Sequence, residues 1–153
     1  DGGGAGWLVA RPEAMPRLAG LGQRVCVSAS APAGHAALAG CEPESLAIFE
    51  ARRQAFAARR DYLLPALRQL GFRIDIEPRG AFYLYADISA FGGHSADFCQ
   101  YLLEQAGVAV TPGIDFGQYR ADCHVRFAYT QSLPRLEEAV VRIARALPGW
   151  SPR

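Results

Sequence analysis

Residues 107–130 decide the fold, and they read Gly-Val-Ala-Val-Thr-Pro-Gly-Ile-Asp-Phe-Gly-Gln-Tyr-Arg-Ala-Asp-Cys-His-Val-Arg-Phe-Ala-Tyr-Thr. Val108–Val110 is short, apolar and β-branched, which predicts a strand. Residues 111–113 end it, because proline has no N–H to donate and glycine admits positive φ. His124–Thr130 predicts a second strand after a polar loop. The stretch is therefore typical of a strand, an exposed turn and a second strand.

The second of these strands has one apolar face and one face that carries Arg126. Side chains alternate along a strand, so every second residue lies on the same face. The apolar set is Val125, Phe127 and Tyr129, and the opposite set is His124, Arg126 and Ala128. A guanidinium in the middle of a strand needs a partner, since burying an unpaired charge is costly. Its planar fork suits a carboxylate, which can accept two parallel hydrogen bonds.

Three segments, residues 6–12, 78–88 and 108–130, carry a family resemblance. Residues 108–117 and 125–130 resemble the V-x-P-G-x-x-F-G turn and the [VL]-R-[LF]-[SA]-[FY] strand of class I/II (fold type I) pyridoxal-phosphate-dependent aminotransferases. Residues 78–88 resemble the P-x-G-[AT]-F-Y-L-[FY]-x-D-[IL] segment, and residues 6–12 resemble G-W-x-[VI]-x-x-P. Order and spacing agree, so the chain is similar to the C-terminal part of these enzymes, including the small domain.

The resemblance implies a role for three residues of this chain. Arg126 matches the arginine that binds the substrate α-carboxylate, and Gly113 and Phe116 fall in a loop at the rim of the active site. The complete enzyme would exchange an amino group between an amino acid and a 2-oxo acid, with pyridoxal 5'-phosphate as cofactor. Family members are commonly homodimers, so a homodimer is expected for this protein.

The cofactor-binding lysine of the family has no counterpart in this chain. All 16 basic residues are arginine. The alignment on Gly6-Trp7 puts the lysine a few residues before Asp1, and it puts Gly4 where the family has an arginine for the cofactor phosphate. We therefore expect no catalytic residue, no cofactor-binding residue and no covalently held cofactor on this chain. Alone, the chain is expected to be inactive.

The order of helices and strands along the sequence predicts an α/β (α+β) fold. This fold is a two-layer sandwich of a small mixed or antiparallel sheet with packed helices. Helical periodicity and end signals predict the helices 12–21, 32–39, 43–70, 96–106 and 132–147. Alternating or short apolar runs predict further strands at 7–10, 72–76 and 81–86. Leu103 is expected to face inward on its helix, and at least one of Tyr83 and Tyr85 is expected in the core.

Two domains are expected from the resemblance. Residues 1–42 would be the end of the large cofactor domain and the segment that crosses from it. Residues 43–153 would be the small C-terminal domain.

Composition excludes several other classes of function. The net charge of +1 argues against a nucleic-acid surface, and no apolar run is long enough for a membrane helix. Cys26, Cys41, Cys99 and Cys123 lack a CxxC pair and are typical of free thiols in the cytoplasm. The three histidines lack metal-ligand spacing, so no metal site is expected.

Other interpretations of the same residues stay open at this point. Arg126 could form a structural ion pair with Asp115, Asp122 or an acidic residue of a helix. Residues 111–117 could be a phosphate-binding loop or an ordinary hairpin loop. The whole chain could be a non-enzymatic α/β module that binds carboxylates or forms dimers, and ligand titration of the Arg126→Ala variant distinguishes these classes.

Overall fold

The computed structural model describes residues 4–25 and 28–152. Cys26, one of the predicted free thiols, lies outside the described residues. The chain divides into two compact units, Asp1–Arg52 and Arg53–Arg153. The described cysteines Cys41, Cys99 and Cys123 are free thiols. Among the helices of the described ranges, none combines the length and the apolar character that crossing a bilayer requires.

The first unit contains two short helices and the beginning of a long one. Helix α1 spans Met15–Val25 and α2 spans Ala31–Gly40. The Ser30 hydroxyl accepts a hydrogen bond from the Ala33 N–H at 3.4 Å, which caps α2. The strand predicted at residues 7–10 is absent, and Val9 is 90% exposed. This apolar run pairs with no strand among the described residues.

Helix α3 spans Pro43–Gln69, as its periodicity predicts. The part of α3 that belongs to the second unit buries Leu63, Leu64 and Leu67, and Phe56 is partly buried against the same core. Phe49, expected on the same buried stripe, is 48% exposed. The stripe therefore contributes to the core only along the C-terminal part of the helix.

The second unit is built on a three-stranded antiparallel sheet with the order β1-β3-β2. Strand β1 spans Tyr83–Asp87, β2 spans Thr111–Pro112 and β3 spans His124–Ala128. The predicted antiparallel α/β class is confirmed. Strand β3 lies in the middle, so the residue pattern that predicts it also defines the centre of the unit.

Two strands predicted within this unit are wrong. Residues 72–76 form only an isolated bridge between Arg73 and Asp87, and Arg68 Nη2 donates to the Ile74 carbonyl at 2.6 Å. Val108–Val110 follows the cap of α4, where the Val108 N–H donates to the Leu102 carbonyl. The pairing of β2 with β3 therefore starts at Thr111. It includes Pro112, which was expected to end the strand.

Two helices complete this unit. Helix α4 spans Ser95–Ala106 and ends at Gly107, which has a φ of 62°, as its sequence predicts. Helix α5 spans Leu133–Ala146 and continues as a 3-10 turn through Gly149. Leu102 is fully buried, but Leu103 is 54% exposed, so the inward orientation expected for Leu103 is wrong.

The core lies on one face of the sheet. Leu84, Val125 and Phe127 are buried there with side chains of α3, α4 and α5. The Phe127 ring meets the Phe72 ring edge to face, with 5.1 Å between their centroids. One layer of helices therefore covers one sheet face, which is the predicted two-layer arrangement, and the alternate residues of β1 and β3 are left on the opposite face.

We expect Leu102→Ala to lower the free energy of unfolding by about 2–5 kcal/mol, because it leaves a cavity in the core. The neighbouring Leu103→Ala is the matched control and should change it by less than about 1 kcal/mol. Urea denaturation of both variants measures the difference. Equal losses would contradict the inward position of Leu102 and the outward position of Leu103 on α4.

Candidate functional site

The open sheet face presents a row of three paired residues. Arg126 on β3 pairs with Tyr85 on β1 and with Thr111 on β2. Directly paired residues project to the same face of a sheet, so the three side chains are neighbours. The alternation of β3 predicts this placement of Arg126 and is confirmed by burial, since Val125 and Phe127 are buried and Arg126 is partly exposed.

Arg126 is held by one hydroxyl and two aromatic rings. Its Nη2 donates to Thr111 Oγ1 at 3.0 Å. The guanidinium carbon lies 4.7 Å from the ring centroid of Phe116 and 5.8 Å from that of Tyr83, both within the range of a cation–π interaction. The Nε atom is buried and has no hydrogen-bond partner among the described residues. The charge is therefore positioned, and part of its donor capacity is unused.

The acidic partners expected for a structural role of Arg126 do not reach it. Within residues 4–25 and 28–152, no carboxylate forms an ion pair with this guanidinium. Asp122 instead forms a hydrogen-bonded pair with His94 and accepts from the Ser95 N–H at the start of α4. This pair raises the pKa of His94 and lowers that of Asp122, each through their mutual hydrogen bond first.

Arg126 lines a cavity of about 490 Å3. The other walls are Tyr83 and Tyr85 of β1, the loop 116–119, and Ala121. Tyr83 and Tyr85 are 37% and 38% exposed, so the expectation that one of them belongs to the core is wrong. Their position on β1 explains this, because residues at this spacing all project to the open face. The cavity is mainly aromatic, with one cation.

The predicted rim residues occupy different positions. Phe116 is 52% exposed and covers the Arg126 guanidinium. Gly113 is buried in a 3-10 turn, Gly113–Asp115, and does not line the cavity. A Cβ placed on Gly113 would overlap the Ala121 carbonyl oxygen and lie 2.5 Å from the Tyr85 hydroxyl oxygen. Gly113 therefore allows two cavity-lining residues to approach the same turn.

Asp87 is a structural residue of the site that the sequence interpretation missed. Its carboxylate is 3% exposed and accepts from Arg73 Nη2 at 2.8 Å, Arg120 Nη2 at 3.0 Å and the Ser89 N–H at 2.7 Å. Burial alone would raise the pKa of this carboxyl. The hydrogen bonds from Ser89 and the charge of Arg73 outweigh burial, so the pKa is lowered and Asp87 stays ionised.

The Asp87 carboxylate accepts a hydrogen bond from Arg120, which lies in the segment before β3. Arg120 has a φ of 49°, a left-handed conformation that is uncommon outside glycine. Four residues later, His124 Nδ1 forms a hydrogen bond with the Arg120 carbonyl oxygen at 2.8 Å. The His124 ring also stacks on the Tyr85 ring, with 4.8 Å between the ring centroids. One signal for Asp87 exists in the sequence, since a carboxylate stands between the apolar Ala86 and Ile88.

Comparison with known proteins assigns the chain to a family. The family described as "Aminotransferase class I and II" matches residues 2–143. The chain therefore belongs to the class I and II aminotransferases, as its three sequence segments indicate. Family membership implies pyridoxal phosphate in a full-length enzyme of this kind.

Individual relatives agree with the family. The valine–pyruvate aminotransferase of Mycobacterium tuberculosis is 39% identical over 114 residues, covering 74% of this chain and 29% of the relative. The LL-diaminopimelate aminotransferase of Moorella thermoacetica is 31% identical over 142 residues, covering 93% of this chain and 35% of the relative. The chain thus spans about a third of the length of these relatives.

A solved structure agrees with the fold. The crystal structure of an aminotransferase from Mycobacterium tuberculosis superimposes with a TM-score of 0.81 at 35% identity. It covers 95% of this chain, and the match covers 38% of that protein. The described fold is therefore one part of a larger aminotransferase architecture.

The residues of this chain fit a carboxylate and do not fit covalent attachment of pyridoxal phosphate. Attachment needs a lysine amine, and every basic residue of the sequence is arginine. The buried, unpartnered Nε of Arg126 is a donor, which suits an anionic group of a substrate. No step of a reaction through the cofactor can be assigned to the residues of this chain.

Gly113→Ala should lower the free energy of unfolding by about 1–3 kcal/mol, because the new methyl group must displace the Ala121 carbonyl and the Tyr85 hydroxyl. Gly117→Ala is the matched control, since a Cβ on Gly117 meets no atom within 4 Å. Thermal denaturation compares the two variants. A Gly113→Ala variant as stable as the parent chain would contradict the described turn.

Proposed function

We propose that this chain supplies the binding site for the substrate α-carboxylate in amino-group exchange between an amino acid and a 2-oxo acid. Arg126 is the residue that binds the carboxylate. The observation that carries the proposal is a guanidinium on the open sheet face that has no ion-pair partner among the described residues and a buried, unsatisfied Nε. Its match to the family's carboxylate-binding arginine supports the same role.

The surroundings of Arg126 suit carboxylate binding. A carboxylate binds in the plane of the guanidinium, through parallel N–H···O bonds. The guanidinium carbon of Arg126 lies over the ring faces of Phe116 and Tyr83, so both rings are close to the cation. The Thr111 hydroxyl accepts a hydrogen bond from Arg126 Nη2, which fixes the orientation of the guanidinium. Aromatic walls lower the local polarity, which strengthens the attraction between the two charges.

Further parts of the proposal concern the complete enzyme. Pyridoxal 5'-phosphate would act as the electron sink, held by residues outside this chain, while Arg126 orients the substrate. We keep residues 1–42 and 43–153 as the proposed domains, and Gly113 and Phe116 as the proposed rim loop of the active site. A homodimer in the cytoplasm is the proposed state, supported by the family resemblance and by the scattered thiols of the sequence.

Arg126→Gln should weaken binding of propanoate by at least about tenfold, because hydrogen bonds to a charged group are the strong ones. NMR titration of the chain, without added cofactor, measures the dissociation constant. Arg135→Gln is the matched control, since its side chain is 71% exposed and does not line the cavity. Unchanged propanoate binding in Arg126→Gln would refute the carboxylate role.

The 153-residue chain alone should not transaminate, because it has no lysine to hold the cofactor or to transfer the substrate proton. The test mixes the chain with pyridoxal phosphate, an amino acid and a 2-oxo acid, and follows the new amino acid by mass spectrometry. The same mixture without the chain gives the background rate. Turnover above that background would show that the prediction is wrong.

A further inference from the structure

The cavity beside Arg126 has an aromatic lining. Tyr83 and Tyr85 come from β1, and Phe116 and Tyr119 come from the loop before β3. These four residues are between 37% and 91% exposed, so their rings are not packed inside the core. Flat apolar surface in this amount, next to a cation, favours a ligand with a flat apolar group.

The charge of the cavity limits the ligand to one carboxylate. Among the described residues that line it, Arg126 is the only one with a charged side chain. A second carboxylate on the ligand would lose water without gaining a cation, which is unfavourable. The nearby charges of Arg73 and Arg120 are already paired with Asp87. The electrostatics therefore favour monocarboxylates over dicarboxylates.

The position of the rings relative to the guanidinium determines where the rest of the ligand lies. The ring centroids of Phe116 and Tyr83 lie 4.7 Å and 5.8 Å from the guanidinium carbon, so both rings are close to a carboxylate bound there. The remainder of the ligand then lies beside these rings and near Tyr119, inside a volume of about 490 Å3. Small-molecule sites of roughly 300–1,000 Å3 are common, so one aromatic side chain fits this volume.

We propose that the substrates bound by this chain are monocarboxylates with an aromatic side chain, which the rings of Phe116, Tyr119 and Tyr83 recognise. This inference rests on the proposed carboxylate role of Arg126 and adds the class of side chain. Phe116 has two functions in this proposal, since the same ring makes the cation–π contact with Arg126 and contacts the aromatic group of the ligand.

The test is an NMR titration of the chain with four acids: propanoate, 3-phenylpropanoate, 3-cyclohexylpropanoate and butanedioate. We expect 3-phenylpropanoate to bind about 3- to 10-fold more tightly than propanoate and than the cyclohexyl acid, which has similar bulk but no flat ring. Butanedioate should bind no more tightly than propanoate, because the cavity offers it no second cation.

Variants assign the preference to this cavity. Phe116→Leu and Tyr119→Leu should each reduce the affinity ratio of 3-phenylpropanoate to propanoate toward one. Tyr119 is 91% exposed, so its replacement leaves the core intact. Phe49→Leu is the matched control for Phe116→Leu, since the two rings are 48% and 52% exposed and Phe49 does not line the cavity. The ratio should persist in Phe49→Leu.

The possible failures are separable. Equal binding of the phenyl and cyclohexyl acids, tightest binding of butanedioate, or a phenyl preference that survives both cavity variants would each overturn the aromatic inference. Arg126→Gln would still weaken propanoate binding in these cases, and the proposed carboxylate role would stand. If the parent chain binds no propanoate, or if Arg126→Gln binds it unchanged, both proposals are refuted.

Discussion

A positive charge lies on the middle strand of the sheet with no counter-ion among the described residues, and the rest of this unit is arranged around it. Burying part of an unpaired guanidinium is unfavourable, so the charge requires compensation. Thr111 accepts one hydrogen bond from Arg126, and the faces of Phe116 and Tyr83 supply cation–π attraction. None of these contacts neutralises the charge. The proposed site therefore offers an anion a positive charge that no described carboxylate compensates.

The rigidity of the site comes from the opposite sheet face. Val125 and Phe127 flank Arg126 along β3, and both are fixed in the core by the helices. The long-range pairs at Asp87 then hold the loop that enters β3, through Arg120. Because backbone pairing on both sides and core packing underneath fix the strand, the guanidinium is held in place before any ligand arrives. Such preorganisation reduces the entropy lost on binding.

Most of the second unit is predictable from local patterns. The alternation in residues 124–129 identifies β3, its apolar face and the exposed position of Arg126. The glycine at 107 correctly marks the end of α4, because only a positive φ closes that cap. Period and end signals also predict α3 and α5, and the three family segments predict the class I and II aminotransferases.

What the sequence did not reveal depends on contacts between distant residues. An isolated bridge between Arg73 and Asp87 replaces the strand predicted at residues 72–76, and no local pattern shows that the pairing stops there. The Asp87 cluster joins Arg73, Ser89 and Arg120, of which only Ser89 is near it in sequence. Tyr83 and Tyr85 are apolar enough for a core, and only the pairing register places them on the open face. The lining of the cavity therefore depends on contacts between residues that are far apart in the sequence.

The exposed loop 116–119 and the central strand differ in how tightly the structure constrains their side chains. Arg126 belongs to the central strand, where replacement disturbs pairing on both sides and the core beneath. Tyr119 and Gln118 belong to a surface loop with few constraints on their side chains. Substitutions at these two positions would change the wall of the cavity without replacing Thr111, Phe116 or Tyr83, the residues that contact Arg126. The proposed side-chain preference and the proposed carboxylate site are therefore adjustable separately, one through exposed loop residues and the other through a residue fixed in the sheet.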